Sequence, residues 1–127
     1  MAIRDTLFVC FPLAKIEGVA DKNQLRLKSM AEDHDVQEEN RFTDWKEALN
    51  KTKFADAVII SLPDNLHYDP CMKALSMGYH ILLEKPIAPT EKECTDIRDL
   101  AIKKNASCLL HKSAPCVRIV WVRDVVY

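Results

Sequence analysis

Glu84-Lys85-Pro86, at the end of a short apolar run, is the sharpest chemical feature of the sequence. A lysine held at a strand's end can hydrogen-bond a hydroxyl or carbonyl oxygen and assist proton movement while a hydride leaves the neighbouring carbon. The tripeptide is common, so a plain surface turn is the competing reading; the bond before Pro86 is also one that admits a cis form. A second stretch, Ser61-Leu62-Pro63-Asp64-Asn65-Leu66-His67, leaves the most apolar run of the chain. Its proline fixes a turn that exposes backbone groups and can cradle a flat ligand, although His67 also suits a helix start without chemistry. Asp21 follows an earlier strand-like run, where a carboxylate can accept hydrogen bonds from the hydroxyls of a ribose. Taken alone it reads equally as a solvated residue or a helix cap.

These residues need a frame that brings strand ends together. Residues 16–20 read as a short strand, and Leu25, Leu27, Met30 and Ala31 recur at roughly helical spacing within residues 24–33. Arg41-Phe42 reads as a brief strand, after which Thr43 or Asp44 caps a helix over residues 45–50, with Glu47 placed as in a capping box. Residues 55–62 have the near-continuous apolar, β-branched character of a strand buried on both faces of a parallel sheet. A helix from His67 or Asp69 to Met77 has Pro70 in its first turn and Gly78 at its end. Residues 80–84 form another strand. Thr90 then caps a helix over residues 91–104 that carries Cys94, Ile97, Leu100 and Ala101 on one face, and residues 106–110 form a last strand. Residues 117–126 are apolar but interrupted by Arg118, Arg123 and Asp124, and no element is assigned to them. Strands alternating with helices predict right-handed β-α-β units and a doubly wound, mostly parallel α/β sheet. Ligands of such sheets bind outside the carboxyl ends of the strands, which gathers Asp21, the 62–67 loop and the 84–86 turn on one edge.

Composition narrows the partners. A chain of 127 residues suits one domain and has no room for a second, substrate-binding one. With 18 basic and 19 acidic residues interspersed along it, no electrostatic footprint for nucleic acid or an anionic membrane emerges, and a small-molecule partner is favoured. Five cysteines, Cys10, Cys71, Cys94, Cys108 and Cys116, are odd in number and lack close pairing. They are read as reduced, mostly buried thiols rather than a disulfide framework or a metal cluster. No apolar run approaches the roughly 18–20 residues that span a bilayer. Arg4 followed by apolar residues 6–14 faintly resembles a signal peptide, but Asp5 and the lack of a small-x-small cleavage site favour a cytoplasmic location.

Between Phe42 and Ala101, the runs Asp56-Ala-Val-Ile-Ile-Ser-Leu-Pro63, Leu66-His67-Tyr68, Ala74-Leu-Ser-Met-Gly78 and His80-Ile-Leu-Leu-Glu-Lys-Pro-Ile87 follow one another in a specific order and spacing. This closely resembles the N-terminal domain of the Gfo/Idh/MocA oxidoreductases over about half the chain. The resemblance implies a Rossmann-type domain over residues 16–111 that binds NAD or NADP, in enzymes acting on sugars, cyclitols and related alcohols. It implies that Lys85 lies by the nicotinamide and takes part in catalysis. It further implies that Asp21, Leu62, Pro63, Asn65 and His67, with Glu84 and Pro86 flanking Lys85, line the cofactor. The charge of Asp21 would repel a 2′-phosphate and favour NAD, although Lys22 and Asn23 could relax that choice.

The two ends depart from the family pattern, which sets residues 1–15 and 112–127 apart as divergent segments. The glycine-rich turn after the first strand is absent: the chain has only Gly18 and Gly78, neither in a G-x-G-x-x-G pattern. Losing two hydrogen bonds to a pyrophosphate would weaken binding by about 3–6 kcal/mol, on the order of a hundredfold to ten-thousandfold. Residues 6–11 could supply a replacement strand, but the short link to residue 16 would force a hairpin. Alternatively residues 1–15 are the remainder of a first helix and the sheet lacks its central strand. The expected function is the nucleotide-binding domain of an oxidoreductase, incomplete for catalysis alone. Its competitors are a non-catalytic module that binds a second copy or a full-length relative, and a domain for another nucleotide such as a coenzyme A ester.

Overall fold

Continuous β-branched sequence has to be buried on both faces, and residues 57–61 become the strand on which both layers of the molecule pack. The computed structural model describes residues 14–111 and 118–124. In chain order these are β1 (Ala14–Ala20), α1 (Gln24–Asp33), β2 (Arg41–Phe42), α2 (Trp45–Leu49), β3 (Ala57–Ser61), α3 (Tyr68–Ser76), β4 (His80–Glu84), α4 (Glu91–Lys103), β5 (Cys108–His111) and β6 (Arg118–Asp124). The helix starts follow from side-chain oxygens that satisfy otherwise orphaned backbone donors. Asn23 accepts from the Arg26 amide, Asp44 from the Lys46 amide and Thr90 from the Glu93 amide. Of the two caps considered for α2, Asp44 is the one used, while the Thr43 hydroxyl donates to Glu47 at 3.0 Å. Gly78 follows α3 at φ +85°, a conformation that residues with a Cβ rarely adopt.

The described strands form one sheet in the order β2-β1-β6-β3-β4-β5. The pairs β1/β2, β3/β4 and β4/β5 are parallel, as the strand-helix alternation predicts. Side chains alternate across the sheet with the period of two that strand geometry imposes. Val58, Ile60, Ile81 and Leu83 join the core beneath α2, α3 and α4, while Ile59 and Leu82 face the opposite layer, which includes Leu27, Met30 and Ala31 of α1.

The main departure from the sequence expectation concerns the centre of the sheet. The slot between β1 and β3, expected either to lack a strand or to be filled from the N-terminal segment, is occupied by β6, which runs antiparallel to both neighbours. The stretch read as a tail beyond the domain is thus a central strand. Its alternation explains why: Ile119 and Trp121 enter one core layer, Val120 and Val122 the other. The charge that obscured the pattern sits at the strand's end, where the exposed Arg123 donates to the Phe54 carbonyl at 2.7 Å. The proposed strand over residues 6–11 lies outside the described residues, as does almost all of the proposed first-helix remainder.

Trp121 is fully buried, with its ring centroid 5.8 Å from those of both Phe42 and Phe54. Gly18 makes room for this cluster: a Cβ there would come within 2.9 Å of the Phe54 ring. Among the described cysteines, Cys71 is buried whereas Cys94 and Cys108 are half-buried, and all three are free. Burial pushes the Cys71 thiol well above the ordinary thiol range, keeping it protonated and unreactive. Among the described residues no helix is long and apolar enough to cross a membrane, and no cluster of metal-ligating side chains occurs.

The Trp121 indole N–H has no acceptor among the described residues. A buried unsatisfied donor costs about 1–3 kcal/mol, whereas truncating a buried tryptophan to alanine typically costs about 3–5 kcal/mol. Trp121→Ala should therefore lower stability by about 3–5 kcal/mol in urea unfolding, while Trp121→Phe should cost less than about 1.5 kcal/mol. Equal losses for the two would show that Trp121 does not hold β6 by packing.

Candidate functional site

Parallel pairing of β1 with β2 places Ala20 beside Phe42, so the segments that follow both strands leave the sheet together. The Asp21 amide donates to the Phe42 carbonyl at 3.1 Å. Because β6 runs in reverse, it begins rather than ends at this edge, with Arg118 opposite Ser61 and Ile119 opposite Ala20. Between these ends lies a pocket of about 320 Å³ whose walls include Asp21, Lys22, Trp45, Leu62, Asn65 and Ile119. That is the lower end of the roughly 300–1,000 Å³ usual for small-molecule sites, and it suits a nucleoside-sized group.

The expected site residues divide into those that line this pocket and those that do not. Asp21, Leu62 and Asn65 line it. Pro63 is exposed on the same loop. Glu84, Lys85 and Pro86 lie at the end of β4, one strand further along the edge, and are not among the lining residues. Lys85 and Pro86 are exposed, Glu84 is half-buried, and the Lys85-Pro86 peptide is cis. Among the described residues Lys85 makes no side-chain hydrogen bond or ion pair, which leaves its ammonium available at the edge.

Asp21 is not presented to the pocket as a bare carboxylate. Its side chain is 1% exposed. Oδ1 accepts from the Asn23 amide at 2.8 Å and from Arg26 Nη2 at 2.9 Å, and Oδ2 accepts from Arg26 Nε at 2.8 Å. This bidentate pairing offsets the charge on which the expected preference for NAD rests.

His67, expected to line the cofactor, is placed inside the protein instead at 1% exposure. Its Nδ1 lies 2.9 Å from the Pro86 carbonyl oxygen and 3.1 Å from that of Ile87, and its Nε2 lies 2.6 Å from the Leu62 carbonyl oxygen. The ring thereby ties the loop after β3 to the loop after β4, and both of its polar edges are spent on backbone. Its contribution to the site is to hold the Lys85 turn and the 62–67 loop in fixed relation.

Three further residues shape the site without having been picked out from the sequence. Trp45 opens α2 immediately beyond the end of β2 and lines the pocket. Tyr68, also in the wall, donates its hydroxyl to Asp96 at 3.0 Å, and that hydrogen bond holds its pKa above the usual phenol value. Lys92, 2.8 Å from the same carboxylate, together with Tyr68 holds Asp96 below the usual carboxylate range. Arg26 carried one legible signal: it lies in the first turn of the helix that follows Asp21, within reach of the strand end.

Comparison with known proteins agrees with this architecture. The sequence pattern of a family described as an oxidoreductase family with an NAD-binding Rossmann fold, GFO_IDH_MocA, matches residues 5–111. An uncharacterized oxidoreductase of Schizosaccharomyces pombe is 41% identical over 58 residues, which cover 46% of this chain and 16% of that protein. The 2,7-anhydro-N-acetylneuraminate hydratase of Escherichia coli is 39% identical over 51 residues, covering 40% of this chain and 14% of the hydratase. The crystal structure of an NAD binding oxidoreductase from Klebsiella pneumoniae superposes with a TM-score of 0.61 at 28% identity, over 72% of this chain and 24% of that one. The chain therefore spans only a small part of the length of these relatives.

Removing the His67 ring would leave three buried carbonyls short of a donor, and each lost buried partner costs about 1–3 kcal/mol. His67→Ala should therefore destabilise the protein by at least that amount in urea unfolding, and should open the 62–67 loop to limited proteolysis. A variant with unchanged stability and an equally protected loop would refute the tie between the two loops.

Proposed function

Since the chain belongs to the Gfo/Idh/MocA oxidoreductase family, we propose that it is the NAD(P)-binding portion of an enzyme acting on sugars, cyclitols or related alcohols. The observation that carries this reading is the convergence of Asp21, Leu62 and Asn65, distant in sequence, on one pocket at the carboxyl edge of the sheet. Asp21 and the 62–67 loop, with Pro63 and Asn65, hold the adenosine side of the nucleotide. Lys85, between Glu84 and Pro86 at the end of β4, hydrogen-bonds the substrate oxygen and assists its proton transfer; the bound nucleotide supplies the hydride chemistry. The described residues fit the adenosine side of the nucleotide better than its pyrophosphate. β6 enters the central slot from the carboxyl edge, so no strand there runs into a glycine-rich turn and a helix N-terminus. This chain by itself therefore binds nucleotide weakly and turns over no substrate.

The reversed central strand also favours a second reading, a Rossmann-type module that keeps the fold to bind a protein partner without catalysis. Titration of NADH or NADPH, followed by nicotinamide fluorescence, separates the two. Saturable binding about a hundredfold to ten-thousandfold weaker than that of a relative with the glycine-rich turn is expected. A flat response up to millimolar nucleotide would overturn the cofactor reading in favour of the module. For Lys85, a chimera that restores the glycine-rich turn and a substrate domain from a related enzyme should be active. Lys85→Ala should lower its kcat by about a hundredfold to ten-thousandfold while changing nucleotide affinity far less. A chimera that tolerates the substitution would remove Lys85 from the reaction.

A further inference from the structure

The turn after β1 carries a signed pair where the sequence suggested a single negative charge. The Asp21 side chain is 1% exposed while that of Arg26, which grips both of its oxygens, is 45% exposed. What solvent and a ligand meet at the end of β1 is therefore the guanidinium, with the carboxylate behind it. The turn is built to keep this arrangement. The Asn23 side chain accepts from the Arg26 amide at 3.0 Å and the Asn23 amide donates to Asp21 at 2.8 Å, so the two charged residues are fixed by the same short loop. Lys22, exposed and in the pocket wall, adds a second cation next to the pair. The other carboxylates of the wall, Asp44, Asp69 and Glu93, belong to the starts of α2, α3 and α4 rather than to this turn.

We propose that Arg26 is the residue that sets nucleotide preference, and that by neutralising Asp21 and presenting its own guanidinium it makes this site take NADP at least as well as NAD. The inference rests on the cofactor reading above and specifies it further. Two physical effects act in the same direction. A carboxylate with three of its roughly four acceptor positions occupied has little left for ribose hydroxyls, and a paired carboxylate repels a 2′-phosphate weakly. A guanidinium suits phosphate recognition, since its planar fork matches two phosphate oxygens and it stays charged at any working pH. Arg26 can meet a phosphate while it still faces Asp21, because the fork offers five N–H donors.

The test is fluorescence titration of the intact chain with NADPH and NADH, alongside Arg26→Ala and Asp21→Asn. The wild-type chain should bind NADPH with an affinity equal to or above that for NADH. Arg26→Ala should weaken NADPH on the order of tenfold to a hundredfold and leave NADH unchanged or tighter, as Asp21 becomes available to the ribose. Asp21→Asn keeps the shape of the turn and the guanidinium, and it remains informative if Arg26→Ala fails to fold. With Asp21 already neutralised, this variant should change the NADPH-to-NADH ratio by less than about threefold, whereas a presented carboxylate would give on the order of tenfold or more. A wild-type preference for NADH of tenfold or more, or a large gain in NADPH binding by Asp21→Asn, would overturn the role of Arg26 and leave the cofactor reading standing. Absence of binding for both nucleotides up to millimolar concentration would overturn both.

Discussion

Every other feature of this molecule depends on the antiparallel ladder that β6 makes with β1 and β3. Both of those strands are largely buried, with Val19 and Val58 fully enclosed. A buried strand edge without a partner would leave a row of backbone N–H and C=O groups unsatisfied, each at a cost comparable to a lost hydrogen bond. The ladder runs from Ala14 opposite Asp124 to Ala20 opposite Ile119 on one side, and from Ala57 opposite Val122 to Ser61 opposite Arg118 on the other. It joins what would otherwise be a two-stranded and a three-stranded piece into one sheet, and it carries Trp121 into the aromatic cluster of Phe42 and Phe54.

The direction of β6 matters as much as its presence. A parallel strand in that slot would end at the carboxyl edge and could continue into a turn and helix whose amides face a pyrophosphate. An antiparallel strand starts there instead, so the same hydrogen-bond satisfaction is achieved without that anion site. The fold and the chemistry are thereby separable: the sheet is complete while the phosphate cradle is not. The side chains at the ends of β1 and β3 keep their places because parallel pairing of β1 with β2 and of β3 with β4 does not depend on the direction of the strand between them.

Stabilising contacts and candidate functional groups are closely interleaved at this edge. The imidazole of His67 is buried and joins two loops, one of which lines the pocket and the other of which carries Lys85. The carboxylate of Asp21 is likewise committed to the turn that begins α1. A polar side chain at a strand end is therefore not a ligand contact by virtue of position alone; the number of its acceptor and donor sites already spent decides what remains for a ligand.

Local signals in the sequence were enough to determine the helices and the parallel strands. The Asn23-, Asp44- and Thr90-headed helices, the β-branched run of β3 and the positive-φ Gly78 each follow from short-range stereochemistry, so their places could be read within two or three residues. The same holds for the gathering of Asp21, the 62–67 loop and the Lys85 turn on one edge, which parallel topology dictates. Tertiary structure alone decided three things. Residues 118–124 alternate as a strand, yet nothing local states which of two unpaired edges they will join or in which direction, because strand pairing is a long-range choice made by the whole buried edge. The burial of His67 and its use of both ring nitrogens depend on carbonyls 5, 19 and 20 residues away. The pairing of Asp21 with Arg26 reverses the sign of the charge shown to the pocket, since one turn of helix brings the guanidinium back over a carboxylate that the linear sequence displays as free.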